Sequence, residues 1–317
     1  GGADFINVLF SEFLVYDPKN SRWINRDRFF LDPGHMSPML YSVLSLCGKY
    51  SMDDLANFRQ WGSVTPGHPE VDLDRMVENT SGPLGQGHAM AIGAAIAERF
   101  LVARFGEWMS HKIYTFISDG GIQEEISQGA GRIAGTLGLS NLIMFYDSNN
   151  IQLSTKVEEV TIEDTEAKYK AWGWNVMTIK GNDAEAIRAA LKNAQAEKER
   201  PTLIIGKTIM GKGACKEDGS SYEDQVSTHG MPLGEAGGNL AATVKNLGGD
   251  PTNPFQIFPE VKELYAARAT ELQAIVAKKN EEQAAWAKAN PELAKKLDTF
   301  FSGKAPQVDW ASIEQKA

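Results

Sequence analysis

Cysteine is scarce: Cys47 and Cys215 are the two in 317 residues. That excludes a disulfide framework and fits a reducing compartment. Long apolar runs are missing too. The longest small-apolar stretch, residues 89–97, is interrupted by Gly93 and followed by Glu98 and Arg99, so no membrane partner is expected. No secretory signal pattern is visible, and a cytoplasmic location is the expectation. Basic blocks are absent and the formal net charge is -9, which argues against a nucleic-acid partner. An acidic chain that binds an anion must do so by local means: glycine turns, helix ends, histidines and a metal. Histidine itself is sparse, at five, and neither its spacing nor any cysteine cluster resembles a zinc site. The chain starts at Gly1-Gly2-Ala3 instead of methionine, so the native N-terminus is expected upstream.

What is present reads as alternating helices and strands. Helical spacing covers residues 3–16, 36–47 and 52–58. Residues 62–84 are rich in Gly, Pro and Thr and read as a functional loop region. Residues 85–105 form a long helix lined with Ala and Gly, which fits either tight packing on a sheet or a helix–helix subunit interface. Strands are predicted at 112–117, 142–146, 175–179 and 202–208, and helices at 122–137, 163–172 and 183–197. This alternation predicts an α/β fold, a mainly parallel doubly wound sheet flanked by helices. Residues 211–238 read as loop. From Pro259 an Ala/Lys/Glu-rich amphipathic helix begins, and Asn290-Pro291 starts another. The expected division is an α/β domain over 1–250 and a helical linker or arm over 251–317.

Two loops carry the chemistry. Ser118-Asp119-Gly120-Gly121 follows one strand, and Asp147-Ser148-Asn149-Asn150-Ile151 follows the next, about 30 residues later. Either loop alone is an ordinary turn composition. Together they stand at the carboxyl ends of consecutive parallel strands, where α/β sheets bind ligands. A helix start favours phosphate there. Asp119 and Asn149 supply hard oxygen donors suited to Mg2+ shared with a diphosphate. His35, His68 and His229 each lie in a Gly/Pro-rich loop, where a solvated histidine is the simplest reading. Three such loops among so few histidines point instead to phosphate contacts and proton transfer. No role is assigned to His88 or His111.

The ordered motifs resemble the N-terminal, diphosphate-binding half of transketolases. Residues 25–31 with Gly34-His35 look like the family's opening block. Phe58-Arg59-Gln60, Thr65-Pro66-Gly67-His68-Pro69-Glu70 and Ser81-Gly82-Pro83-Leu84-Gly85-Gln86-Gly87 follow in order. The Asp119 loop, Ala134-Gly135-Thr136-Leu137-Gly138-Leu139, the Asp147 loop and His229-Gly230 complete the series. The resemblance implies transfer of a two-carbon ketol unit between sugar phosphates, with thiamine diphosphate and Mg2+ as cofactors. It places Mg2+ on Asp119, Asn149 and the Ile151 carbonyl. Diphosphate would meet Gly120, His35 and His229, and the aminopyrimidine would lie along Gly82, Pro83 and Leu84. His68 and His229 would face the substrate as catalytic groups.

The pattern also departs from the family. Ser118 stands where glycine is usual, Glu125 replaces another glycine, and Gly129 stands where many members have glutamate. A histidine-bearing Ser-Gly-His-Pro-Gly segment is expected upstream of Gly1. A second, pyrimidine-binding domain with the activating glutamate is expected after Ala317, and the complete enzyme is expected to be a homodimer. The chain alone is therefore expected to be inactive or nearly so. Two other readings stay open: one subunit of a naturally split enzyme, or a non-catalytic thiamine-diphosphate-binding module.

Overall fold

The structure is a computed structural model that describes residues 1–229, 231–305 and 308–314. Five parallel strands, β1 (Arg28–Leu31), β2 (Ile113–Ser118), β3 (Leu142–Ser148), β4 (Asn175–Lys180) and β5 (Thr202–Lys207), lie in the order β1-β2-β3-β5-β4. The helices are α1 (Ala3–Val8), α2 (Ser37–Leu46), α3 (Met52–Ala56), α4 (Gln86–Phe105), α5 (Asp119–Gln123), α6 (Glu125–Thr136), α7 (Thr165–Ala171) and α8 (Ala184–Ala196). After them come α9 (Leu233–Ala236), α10 (Leu240–Asn246), α11 (Pro259–Ala289) and α12 (Pro291–Phe301). The expected parallel α/β sheet is thus the observed one.

Strands β2 and β3 are buried along their whole length, as a sheet covered on both faces requires. Side-chain alternation splits them between two cores. Phe116 and Phe145 join Phe5, Leu44, Leu191 and Leu272 on one face. Ile117 and Tyr146 join Ala91, Ala95, Ala134 and Trp174 on the other. Each fully buried large side chain contributes about 1.5–3 kcal/mol. Helix α11 belongs to this packing as well. It lays Tyr265 and Leu272 into the first core, and its buried Arg268 donates to the Leu14 carbonyl at 3.0 Å.

Three local differences from the sequence reading have physical causes. Strand β1 was not anticipated, because four residues beginning with arginine are too short to show a strand period. The winding over residues 9–13 widens to a π-type turn. The helix expected over 122–137 starts earlier and breaks. Ser118 caps α5 by accepting from the Gly121 N–H at 3.4 Å, and Glu124 is extended (φ −64°, ψ 135°) before α6 begins. The break lets the chain wrap Gly85, whose missing Cβ space is taken by Ile126 and Glu124 at 2.7 and 2.9 Å. Gly230 and residues 306–307 and 315–317, parts of the expected loop and tail, lie outside the described residues.

Helix α4 serves two surroundings. Ala91, Ile92 and Ala95 pack into the sheet core, while Met90, Ile96 and Phe100 are exposed. Ahead of α4, the loop over 62–84 is anchored by an ion pair between Arg26 and Glu78, whose side chains are 4% and 6% exposed. Removing one partner of a buried pair strands the other charge, at about 3–5 kcal/mol. Glu78→Ala is therefore expected to lower the unfolding free energy by roughly 3 kcal/mol or more, read from urea denaturation. A loss under about 1 kcal/mol, the range of exposed pairs, would refute the anchoring role.

Candidate functional site

Sheet register builds the site. Ser118 pairs with Asp147 across β2 and β3, so the turns that follow both strands emerge side by side at the carboxyl edge. Asp119, 2% exposed, opens α5. Its Oδ1 accepts from the Tyr146 hydroxyl at 2.5 Å, and its Oδ2 accepts from the Asn149 backbone N–H at 3.2 Å. Asn149 Oδ1 in turn accepts from the Ile151 N–H at 3.0 Å. Between them Asn150 takes φ +65°, a conformation asparagine tolerates better than most residues. Burial pushes Asp119 up to about 6. The Tyr146 and Asn149 hydrogen bonds oppose that rise and Asp147 adds to it.

A cavity of about 490 Å³ opens over these turns. His35, Leu84, Asp119, Gly120, Asn149, Ile151 and His229 line it, together with Asp147, Gln152 and Thr228. The His35 and His229 rings stack with centroids 5.1 Å apart. Desolvation, then the nearby His229 and His68, pushes His35 down to about 4, although part of its surface faces the opening. Desolvation also lowers His229, opposed by the Ile151 backbone. Both are therefore neutral imidazoles near pH 7.

The other three expected residues do not line that cavity. His68 is exposed and sits beside it, with Cδ2 2.6 Å from an ideal Cβ at Gly34 and 3.9 Å from one at Gly82. Its turn is pinned from α2, where Ser37 and Tyr41 hydroxyls donate to the Gly67 and Pro66 carbonyls at 2.7 and 2.9 Å. Gly82 has φ +151°, a backbone setting that favours glycine, and no other atom lies within 4 Å of its ideal Cβ. Pro83 is exposed next to it.

Tyr146, Asp147 and Thr208 were not singled out from sequence. Tyr146 reads there as one more strand residue, and Asp147 as the first residue of a turn. In the fold Asp147 is 1% exposed and accepts from the Thr208 hydroxyl. A larger cavity, about 730 Å³, lies on the other side of the Asp119 and Asn149 turns. Glu158, Glu163, Asp164, Glu166 and Asp224 line it together with Lys156 and Lys207. Among the described residues no three His, Cys, Asp or Glu side chains surround a common metal position. The oxygens brought together here are the Asp119 carboxylate and the Asn149 carboxamide, linked through the Asn149 N–H.

A carboxylate turn, a glycine turn and paired histidines border one cavity at the carboxyl edge of a parallel sheet, the usual ligand position of an α/β domain. Comparison with known proteins gives the family of this domain. The family model described as transketolase, thiamine diphosphate binding domain, matches residues 1–306, and the chain belongs to that family. It is 43% identical to transketolase 2 of Vibrio parahaemolyticus and 41% identical to transketolase 2 of Escherichia coli. Both alignments span 100% of this chain and 47% of the relative, so the chain spans about half the length of the curated relatives it matches. The transketolase of Leishmania mexicana superposes with a TM-score of 0.90 at 33% identity, over 98% of this chain and 46% of that one. A Pichia stipitis transketolase solved with sedoheptulose 7-phosphate gives 0.87 at 34% identity, over 95% and 44%.

The two glycines of the α5 turn are not equivalent. A Cβ at Gly121 would stand 2.4 Å from Asp32 Oδ2 and 2.8 Å from Ile117 Cγ1, whereas one at Gly120 would meet Leu84 Cδ1 at 3.0 Å. Gly121→Ala is expected to cost about 1–3 kcal/mol in chemical denaturation, because packed core atoms must move. Gly120→Ala should cost under about 1 kcal/mol, since a leucine tip can shift. Equal losses would contradict this geometry.

Proposed function

We propose that this chain is the diphosphate- and Mg2+-holding half of a transketolase, an enzyme that moves a two-carbon ketol unit from a ketose phosphate to an aldose phosphate. The convergence of Asp119, Gly120, Asn149, Ile151, His35 and His229 on one cavity carries this reading. Among the described residues no lysine or arginine lines that cavity, and Asp119 and Asp147 do. A diphosphate placed beside two carboxylates needs a divalent cation between them. The cavity has further room for such a group: His229 Nδ1 is buried without a hydrogen-bond partner among the described residues.

In this reading Asp119, Asn149 and the Ile151 carbonyl hold the cation. Gly120, His35 and His229 contact the diphosphate, and Gly82, Pro83 and Leu84 lie along the pyrimidine. Thiamine diphosphate supplies the carbanion chemistry for breaking and making a C–C bond beside a carbonyl. The protein orients it: Tyr146 and the Asn149 N–H fix the Asp119 carboxylate, and neutral His35 has an N–H to donate. His68, held at the rim by α2, is the proton-transfer group toward substrate, with His229. That placement favours an enzyme over a purely binding module, which has no use for a substrate-facing imidazole. We further propose residues 1–250 as the cofactor domain and 251–317 as the helical arm toward a pyrimidine-binding domain. Sugar phosphates are the substrates, a homodimer is the working form, and the cytoplasm is the location. Among the described residues no helix is long and apolar enough to cross a membrane.

Calorimetric titration of the protein carrying both domains with thiamine diphosphate, with and without Mg2+, tests the site. Binding is expected only with the cation. Asp119→Asn should abolish it, and Tyr146→Phe, which removes a partner of the ligand carboxylate, should weaken it about 10–100-fold. Cation-independent binding, or unchanged binding in Asp119→Asn, would refute the metal assignment. His68→Ala should spare cofactor binding while lowering ketol transfer in the protein carrying both domains. Full turnover in that variant would remove His68 from the mechanism. The chain by itself is expected to show no ketol transfer with xylulose 5-phosphate and ribose 5-phosphate.

A further inference from the structure

We propose that Asp32 is a positioning residue of the diphosphate cavity: its buried carboxylate holds the first turn of α4, and with it the 82–84 loop, against the Gly120-Gly121 turn. This rests on the functional reading above.

Asp32 follows β1, and its backbone N–H extends the sheet by donating to the Phe116 carbonyl at 3.0 Å. The residue is 0% exposed. Among the described residues it forms no ion pair, although an unpaired buried carboxylate costs several kcal/mol if left unsatisfied. What satisfies it is the start of α4. Asp32 Oδ1 accepts from the His88 N–H at 3.3 Å, and the backbone N–H groups of Gly85 and Gly87 also face the carboxylate. The positive end of a 20-residue helix adds to them. The approach is close because residue 87 is glycine: a Cβ there would stand 2.7 Å from Asp32 Cα.

The second oxygen has a different task. Asp32 Oδ2 has no hydrogen-bond partner among the described residues, and it fills the space where a Gly121 side chain would go, 2.4 Å from the ideal Cβ. One carboxylate therefore abuts both turns that border the cavity. On its α4 side it fixes the helix start that follows Leu84. On its α5 side it fixes the turn that carries Asp119 and Gly120. Its neighbour His88 continues the link to α6, with Nδ1 3.1 Å from the Ser127 hydroxyl. Asp32 touches no atom of the cavity lining that would meet a ligand, so its effect passes through these backbone positions.

The test compares Asp32→Ala, Asp32→Asn and Asp27→Asn. Asp27 is a control on the same segment, buried at the opposite end of β1 and accepting from the Lys112 and Val15 N–H groups at 2.7 and 2.9 Å. Each variant, made in the protein carrying both domains, is titrated with thiamine diphosphate and Mg2+, and amide exchange is followed at Gly85, Gly87 and His88. Asp32→Ala is expected to raise Kd at least tenfold and to speed exchange at those amides. Asp32→Asn keeps one acceptor oxygen and should recover part of the affinity; it also carries the test if the alanine variant does not fold. Asp27→Asn should lower stability and leave Kd unchanged. Wild-type Kd in both Asp32 variants, or an equal loss in Asp27→Asn, would overturn the proposal, as would unaltered exchange at Gly85, Gly87 and His88. Failure of the unsubstituted two-domain protein to bind thiamine diphosphate would instead overturn the functional reading on which the proposal stands.

Discussion

The parallel register that sets Ser118 of β2 beside Asp147 of β3 is the constraint on which the site depends. Side chains in a strand alternate between faces, so a slip of one residue between β2 and β3 would exchange the faces of the slipped strand and offset one turn from the other. Register is held because both faces are buried: Phe116 and Phe145 belong to one core, Ile117 and Tyr146 to the other. The hydrophobic cost of slippage is thus what keeps Asp119 within hydrogen-bond reach of Tyr146 and of the Asn149 N–H. Packing energy deep in the sheet becomes positional accuracy at its edge.

That accuracy is spent on an unfavourable electrostatic arrangement. Asp119 and Asp147 are both nearly inaccessible to water and lie against the same cavity, and burial holds Asp119 well above the ordinary carboxylate range. A divalent cation reverses such a penalty, because it favours the ionised carboxylate and supplies the charge that a diphosphate requires. The acidity of the whole chain is therefore compatible with an anionic cofactor. In the proposed reading attraction is local and metal-borne, and the surface potential need not contribute.

The parts legible in sequence were those with a strong period or a turn signature. The βαβ unit showed itself through two apolar runs ending in Asp119-Gly120 and in Asn149-Asn150, and the helices at 86–105 and 184–196 through their spacing. The loop histidines stood out because histidine is rare here. What stayed hidden depends on contacts distant in sequence. Strand β1 is short and begins with Arg28, so only pairing with β2 makes it a strand. Tyr146 looks like packing until Asp119 is placed opposite its hydroxyl. The break at Glu124 answers to Gly85, about 40 residues away in the chain. Ser118, which departs from the family pattern, proves compatible with the fold because its hydroxyl caps α5. Gly129 has open space around its ideal Cβ, so packing does not require a glycine there.

The segment from 78 to 88 beside the cavity is held through polar atoms at and around β1. The Leu31 carbonyl accepts from Ser81 Oγ at 2.6 Å and from Asn79 Nδ2 at 3.1 Å, and the next residue, Asp32, meets the start of α4. Arg26, two residues before the strand, holds Glu78. A four-residue edge strand thus organises the segment from 78 to 88 by hydrogen bonds and one ion pair. Buried polar contacts of this kind are costly when incomplete, so they tolerate few arrangements. A ligand pocket walled by loops needs that property: hydrophobic packing alone would let the 82–84 loop settle in several positions. The single geometry imposed from β1 gives the cavity its shape before any cofactor arrives.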